Sequence, residues 1–160
     1  MLTYILKAEA VLKNVSNVQP LDNLNYPFDY KFKIQCGCTK IHDKPIEINS
    51  EGRFQVTGFR REANFLFKCK ECNRERYATI KRLPNKIDQD NQWTDILMIN
   101  TFGIRLLDFI PDDQFECMSL LSNSIIQEID LSDGEWYDYD QLGNGEISIS
   151  EVKWKVELVR

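Results

Sequence analysis

The chain has a single histidine and only seven glycines in 160 residues. It shows no Gly-rich phosphate loop, no Ser or Cys nucleophile beside a traceable base, and no carboxylate pair at a readable spacing. No catalytic constellation can be named, so the sequence predicts a protein that is not an enzyme. Long apolar runs are also missing. Every aliphatic stretch is broken by Lys, Asp or Asn, far below the ~20 residues of a membrane helix. Met1 to Lys13 carries charges where a secretion signal keeps its hydrophobic stretch. These absences predict a soluble cytoplasmic protein with no membrane partner. Helix signals are equally scarce. Leu121, Ile125, Ile126 and Ile129 mark the one candidate helical stripe, and it runs through Ser122, Asn123 and Ser124, which are poor helix formers.

Alternation is what the sequence has instead. Tyr4, Leu6, Ala8, Ala10 and Leu12 alternate with mostly polar neighbours, as do Val152, Trp154, Val156 and Leu158 near the far end. Period two is the pattern of a half-buried strand. Between Ile149 and Val152 the apolar phase slips by one residue, which predicts a bulge around Ser150 and Glu151. Further strands are expected over 28–35, 45–49, 53–57, 63–67, 76–81, 94–100 and 103–110, with Asn144-Gly145 as a hairpin signal. The expected fold is all-β, about ten short strands in sandwich or barrel-like sheets. At this length one compact domain over 1–160 can bury its own core. Within it, the polar stretch Lys81 to Asn91 reads as a hinge between a cysteine-bearing half, 1–83, and an acidic half, 84–160.

Charge separates the two halves further. Residues 60–86 hold nine Lys or Arg against three Glu, whereas Leu106 to Val152 holds twelve acidic residues and no basic one. The basic segment has two readings: it offsets the charge of a metal centre, or it binds nucleic acid with Phe65, Phe67 and Tyr77 as stacking rings. At period two those rings are more simply core, so nucleic acid is the disfavoured partner. Asp140 to Glu151 matches a calcium loop at Asp140, Asn144, Gly145 and Glu151 but has Leu142 at its third position and strand-like flanks. A β-turn is expected there, not a calcium site.

The chemistry lies in cysteine. Cys36-Gly37-Cys38 and Cys69-Lys70-Glu71-Cys72 supply four thiols, while Cys117 has no partner in sequence. Under reducing conditions such pairs are metal ligands or redox centres more often than disulfides, and four thiolates suit tetrahedral zinc. Cys69 and Cys72 have the spacing of a zinc knuckle. Cys36 and Cys38 start on opposite faces of an extended chain and need a tight bend assisted by Gly37. His42 could stand in as a ligand if one of that pair falls short, against the plainer reading of a solvated loop histidine.

Taken together, Leu6-Lys7-Ala8, the Asn14-Val15-Ser16-Asn17 turn, the first cysteine pair followed by Asp43-Lys44, Lys68-Cys69-Lys70-Glu71-Cys72, Asp108-Phe109-Ile110-Pro111, Trp136-Tyr137-Asp138-Tyr139-Asp140 and Glu151-Val152 resemble the eukaryotic CXXC-motif-containing zinc-binding proteins. The resemblance spans nearly the whole chain. It implies an all-β architecture of two similar halves, a zinc held by both cysteine pairs, no established enzymatic activity and a cytosolic location. The family's first pair is Cys-Gly-x-Cys, and here it is one residue shorter. The expectation is a monomeric, non-enzymatic zinc protein with Cys36, Cys38, Cys69 and Cys72 as ligands and a structural or protein-interaction role, its partner unnamed. The alternatives are a metal-handling or thiol-redox factor using the same four cysteines, and nucleic-acid binding through 60–86.

Overall fold

The structure is a computed structural model and describes residues 1–58 and 60–160. Among the described residues there is no helix. The strands in chain order are β1 (Leu2–Lys13), β2 (Val15–Pro20), β3 (Tyr30–Cys36), β4 (Ile46–Ile48), β5 (Phe54–Gln55), β6 (Glu62–Ala63), β7 (Phe65–Lys68), β8 (Glu75–Arg82), β9 (Thr94–Phe102), β10 (Ile104–Ile110), β11 (Phe115–Ser119), β12 (Ile125–Ile129), β13 (Trp136–Asp140) and β14 (Gly145–Leu158).

The alternation of β1 is realised as expected: Leu6 and Ala8 are fully buried and Ala10 nearly so. Antiparallel pairing joins β1 to β14 on one side and β9 on the other, within a six-stranded sheet of order β13-β14-β1-β9-β8-β7. Two three-stranded sheets, β10-β3-β4 and β12-β11-β2, complete curled layers that form a half-barrel. The chain changes sheet at single left-handed residues. Asn14 (φ 56°) hands β1 to β2, and Gly103 (φ 76°) hands β9 to β10. The expected bulge is present: Val11 faces Ser150 and Glu9 faces Lys153, leaving two residues of β14 opposite Ala10, with Glu151 at φ 50°.

The stretches 1–83 and 84–160 are interleaved. β1 pairs with β9, β3 with β10, β2 with β11 and β8 with β9, so each sheet that contains these strands draws on both stretches. The segment read as a hinge is pinned. Ile87 is buried and exchanges two 2.9 Å backbone hydrogen bonds with Val18, and Arg82 donates to the Leu83 and Ile96 carbonyls. Between the sheets an aromatic chain fills the core: Phe28 lies 5.2 Å from Phe115, Phe115 5.4 Å from Trp154, and Trp154 4.7 Å from Phe109. Phe115 is fully buried at its middle.

The calcium-like segment is a β13–β14 hairpin. The Asp140 carboxylate accepts from the Ser119 and Ser122 hydroxyls and, at 3.0 Å, from the Leu142 and Gly143 amides. Ser119 first, then Ser122 and Gly143, hold its carboxyl down at about 2. Because the folded value lies below that of a free Asp, ~3.9, its contribution to stability is complete above that value and is lost as pH falls through about 2. Asp140→Asn removes this dependence, so melting temperatures measured between pH 4 and 2 fall less steeply for the variant than for the parent. Phe115→Ala leaves a cavity at the junction of both sheets. It costs about 3–5 kcal/mol, read from chemical denaturation.

Candidate metal centre

Two turns bring four sulfurs together. The first closes the end of β3: the Cys36 carbonyl accepts from the Thr39 amide at 2.8 Å, and the Cys36 amide donates to the Lys40 carbonyl at 2.8 Å. This reversal lets a pair one residue short of a knuckle converge. Gly37 sits against the β9–β10 corner, its amide donating to the Gly103 carbonyl at 2.8 Å. A side chain at Gly37 would meet Arg76 and that carbonyl at 3.4 Å. The bend forces Thr39 to φ 80°, an unfavourable value for a β-branched residue. The second turn joins β7 to β8. The Asn73 amide donates to the Cys69 carbonyl at 2.8 Å and the Cys69 amide to the Arg74 carbonyl at 3.1 Å, with Asn73 at φ 59°.

Cys36 Sγ lies 3.7 Å from Cys72 Sγ, and Cys38 Sγ 3.8 Å from Cys69 Sγ. All four sulfurs fall within 4.8 Å of one another. A disulfide requires ~2.05 Å, which both separations exclude. Four sulfurs at ~2.3 Å from a tetrahedral zinc are ~3.8 Å apart, so the donor set fits that ion. Both of these contacts join one sulfur from the first turn to one from the second. β3 belongs to the β10-β3-β4 sheet and β7–β8 to the edge of the six-stranded sheet, so the cluster lies at a seam between sheets.

Arg76, on β8, reaches across this seam. Its Nε donates to Cys36 Sγ at 3.3 Å and Nη2 to Cys72 Sγ at 3.6 Å. The sequence marks Arg76 only as one of several cations near the cysteines, and the structure singles it out. Gly103 was readable as a turn residue but not as the gap through which Arg76 passes. A Cβ there would stand 2.3 Å from Arg76 Nη1 and 2.5 Å from its Cδ.

The electrostatics of the metal-free cluster are uneven. The Arg74 amide, with the Cys36 thiol and Arg76 assisting, draws Cys72 down to about 6 against burial. Cys38 is pushed up to about 11: the Lys40 amide favours its thiolate, but burial and the neighbouring sulfurs outweigh that. Cys117 is buried in β11, and burial, then Glu116, raises its thiol to about 12. It plays no part in the cluster.

His42 lies outside the four-sulfur cluster, in a loop where it is half-buried. Its ring stands edge-on to Phe67 at 5.1 Å and its Nε2 is closed off from solvent without a hydrogen-bond partner among the described residues. The stacking candidates are internally engaged: Phe65 and Phe67 lie 5.6 Å apart and pack on the core, and Tyr77 stacks on Phe102 at 4.3 Å. Of the basic run, Arg76 serves the sulfurs and Arg82 serves backbone carbonyls.

The family model described as "CXXC motif containing zinc binding protein, eukaryotic" matches residues 5–157. The chain belongs to this family. It is 32% identical over 154 residues to "UPF0587 protein C2D10.03c" of Schizosaccharomyces pombe, covering 96% of each. It is 29% identical over 153 residues to the human "CXXC motif containing zinc binding protein", covering 92% of each. Among solved structures it superposes on "Crystal Structure of C1orf123" with a TM-score of 0.87 at 26% identity, covering 98% of this chain and 99% of that one. A "Hypothetical protein from plasmodium falciparum" shares the fold with a TM-score of 0.84 at 21% identity, covering 98% and 100%. The CXXC motif of the family name is met here by Cys69 to Cys72.

In metal-free protein the thiols should separate by pH. Iodoacetamide labelling followed by peptide mass mapping is expected to modify Cys72 with a midpoint near 6 and to leave Cys117 untouched through pH 9.

Proposed function

We propose that the protein is a non-enzymatic zinc protein in which Cys36, Cys38, Cys69 and Cys72 hold one zinc as a closed structural centre. The observation that carries this reading is the pair of sulfur separations at the tetrahedral edge length, 3.7 and 3.8 Å, between turns that belong to different sheets. Zinc bound there supplies a cross-link rather than a reaction, since four protein sulfurs fill its coordination sphere and leave no position for substrate. Arg76 offsets part of the −2 charge that four thiolates leave around a divalent ion. In this reading the protein is a cytoplasmic monomer that acts through a protein partner, and the metal keeps the seam between sheets in the shape that partner meets. The family name and the family-wide extent of the match support the metal assignment.

A metal-handling or thiol factor is the second reading. An open cleft of about 380 Å³, lined by Cys38, Thr39, Lys40, Glu71 and Cys72, gives one side of the centre access to solvent. A structural site and a handling site differ in how fast they give up metal.

Protein purified without added metal or nickel resin is expected to contain one zinc per chain by elemental analysis. Removing it with chelator should lower the melting temperature by roughly 10 °C, the effect of ~4 kcal/mol of linked binding in a chain of this size. Substoichiometric zinc that equilibrates with a fluorescent indicator within seconds would contradict the structural reading and favour metal handling.

A further inference from the structure

The four sulfurs are held in three different ways. Arg76 takes one from each turn: Nε bonds Cys36 at 3.3 Å and Nη2 bonds Cys72 at 3.6 Å. Cys69 is fully buried. Cys38 has neither the guanidinium nor deep burial, and the Lys40 amide is its hydrogen-bond donor. Like Cys72 it is partly exposed and lines the open cleft, but the guanidinium bonds go to Cys36 and Cys72, and it precedes Thr39, whose φ of 80° strains the end of the short pair. The room for Arg76 is specific as well, because any side chain at Gly103 would collide with its Nη1, Cδ and Cζ.

The geometry points to Arg76 as a positioning residue that keeps the Cys36 and Cys72 sulfurs in place for the metal, leaving Cys38 as the sulfur at which the centre opens. This rests on the zinc reading above. A planar guanidinium presents two donors at a fixed spacing, so one side chain can span two sulfurs from different turns. Lysine has three donors on one nitrogen but no planar fork, so it supplies charge without fixing the spacing of the two sulfurs. Donors of this kind orient ligands that bind a metal directly, and their loss commonly costs 10–100-fold in metal affinity. Of the two sulfurs that the guanidinium does not hold, Cys69 is fully buried and Cys38 is partly exposed, so Cys38 is the one whose bond to the ion can break without disturbing the rest.

The test uses the zinc-loaded full chain and its cobalt-substituted form. Arg76→Gln is expected to release zinc to a chelator about 10–100-fold faster than the parent, with Arg76→Lys in between. The sulfur-to-cobalt charge-transfer band should shift in Arg76→Gln, a change that loss of packing alone does not produce. N-Ethylmaleimide mapping of zinc-loaded parent should find Cys38 modified first, and in Arg76→Gln the labelling should spread to Cys36 and Cys72. Gly103→Ala, which keeps the arginine but crowds it off the sulfurs, should also speed release. It carries the test, with the parent's labelling order, if Arg76→Gln fails to fold. Unchanged release and an unchanged band, or first modification at Cys36 or Cys72 in the parent, would overturn the assignment alone. A parent chain that takes up neither zinc nor cobalt would overturn the metal reading and this assignment with it.

Discussion

The pairing of β1 with both β14 and β9 is the constraint on which the rest of the molecule depends. It places the first strand at the middle of the largest sheet and buries Leu6, Ala8 and Ala10 against the opposing layers. It also joins the chain's ends, since the Thr3 amide donates to the Arg160 carbonyl at 2.8 Å. With β9 fixed beside β1, the β8–β7 hairpin is aligned on the far side of β9, and the Gly103 corner sends β10 to pair with β3. Those two consequences deliver Cys69 and Cys72 from one sheet and Cys36 and Cys38 from another. The position of the cysteine cluster is therefore an outcome of strand order.

This arrangement would leave a bound metal a limited energetic role. The core runs through Phe28, Phe32, Phe109, Phe115 and their aliphatic neighbours without reaching the sulfurs, so the sheets have a driving force of their own. A metal bound in such a place would add stability at one seam rather than create the fold, unlike in small zinc modules that are unfolded without metal. Arg76 and Gly103 show that the surrounding strands are shaped to serve the sulfurs. One supplies the donors, and the other omits the side chain that would block them.

The regular part of the fold was legible because strong alternation survives in the sequence. β1, β3, β8, β9, β10 and β14 were expected close to where they lie, and the phase slip in β14 disclosed its bulge. The stripe Leu121, Ile125, Ile126 and Ile129, too weak to carry a helix, hid a strand for a physical reason. Leu121 lies in a turn, and the three isoleucines lie in β12, where Glu128 adopts φ 59° and the register with β11 shifts, so Ile126 and Ile129 face inward three residues apart. A bulged strand thus copies helical spacing. β2 bulges at Asn17 (φ 56°) for the same kind of reason, and β13 is mostly exposed, which left both without a clean pattern. At the candidate site the four cysteines were readable from residue type and spacing, and Gly37 was readable as the bend. The place of Arg76 was not. Its role comes from the side of β8 that faces the corner at Gly103, a contact between residues 27 positions apart in sequence.

One closed zinc centre built by four cysteines from two sheets has a direct spectroscopic signature. X-ray absorption at the zinc edge of protein purified without added metal tests it most directly. The account predicts a single shell of four sulfurs at about 2.3 Å with no nitrogen or oxygen. A shell of mixed sulfur and light atoms, or a sulfur number of three or fewer, would contradict it.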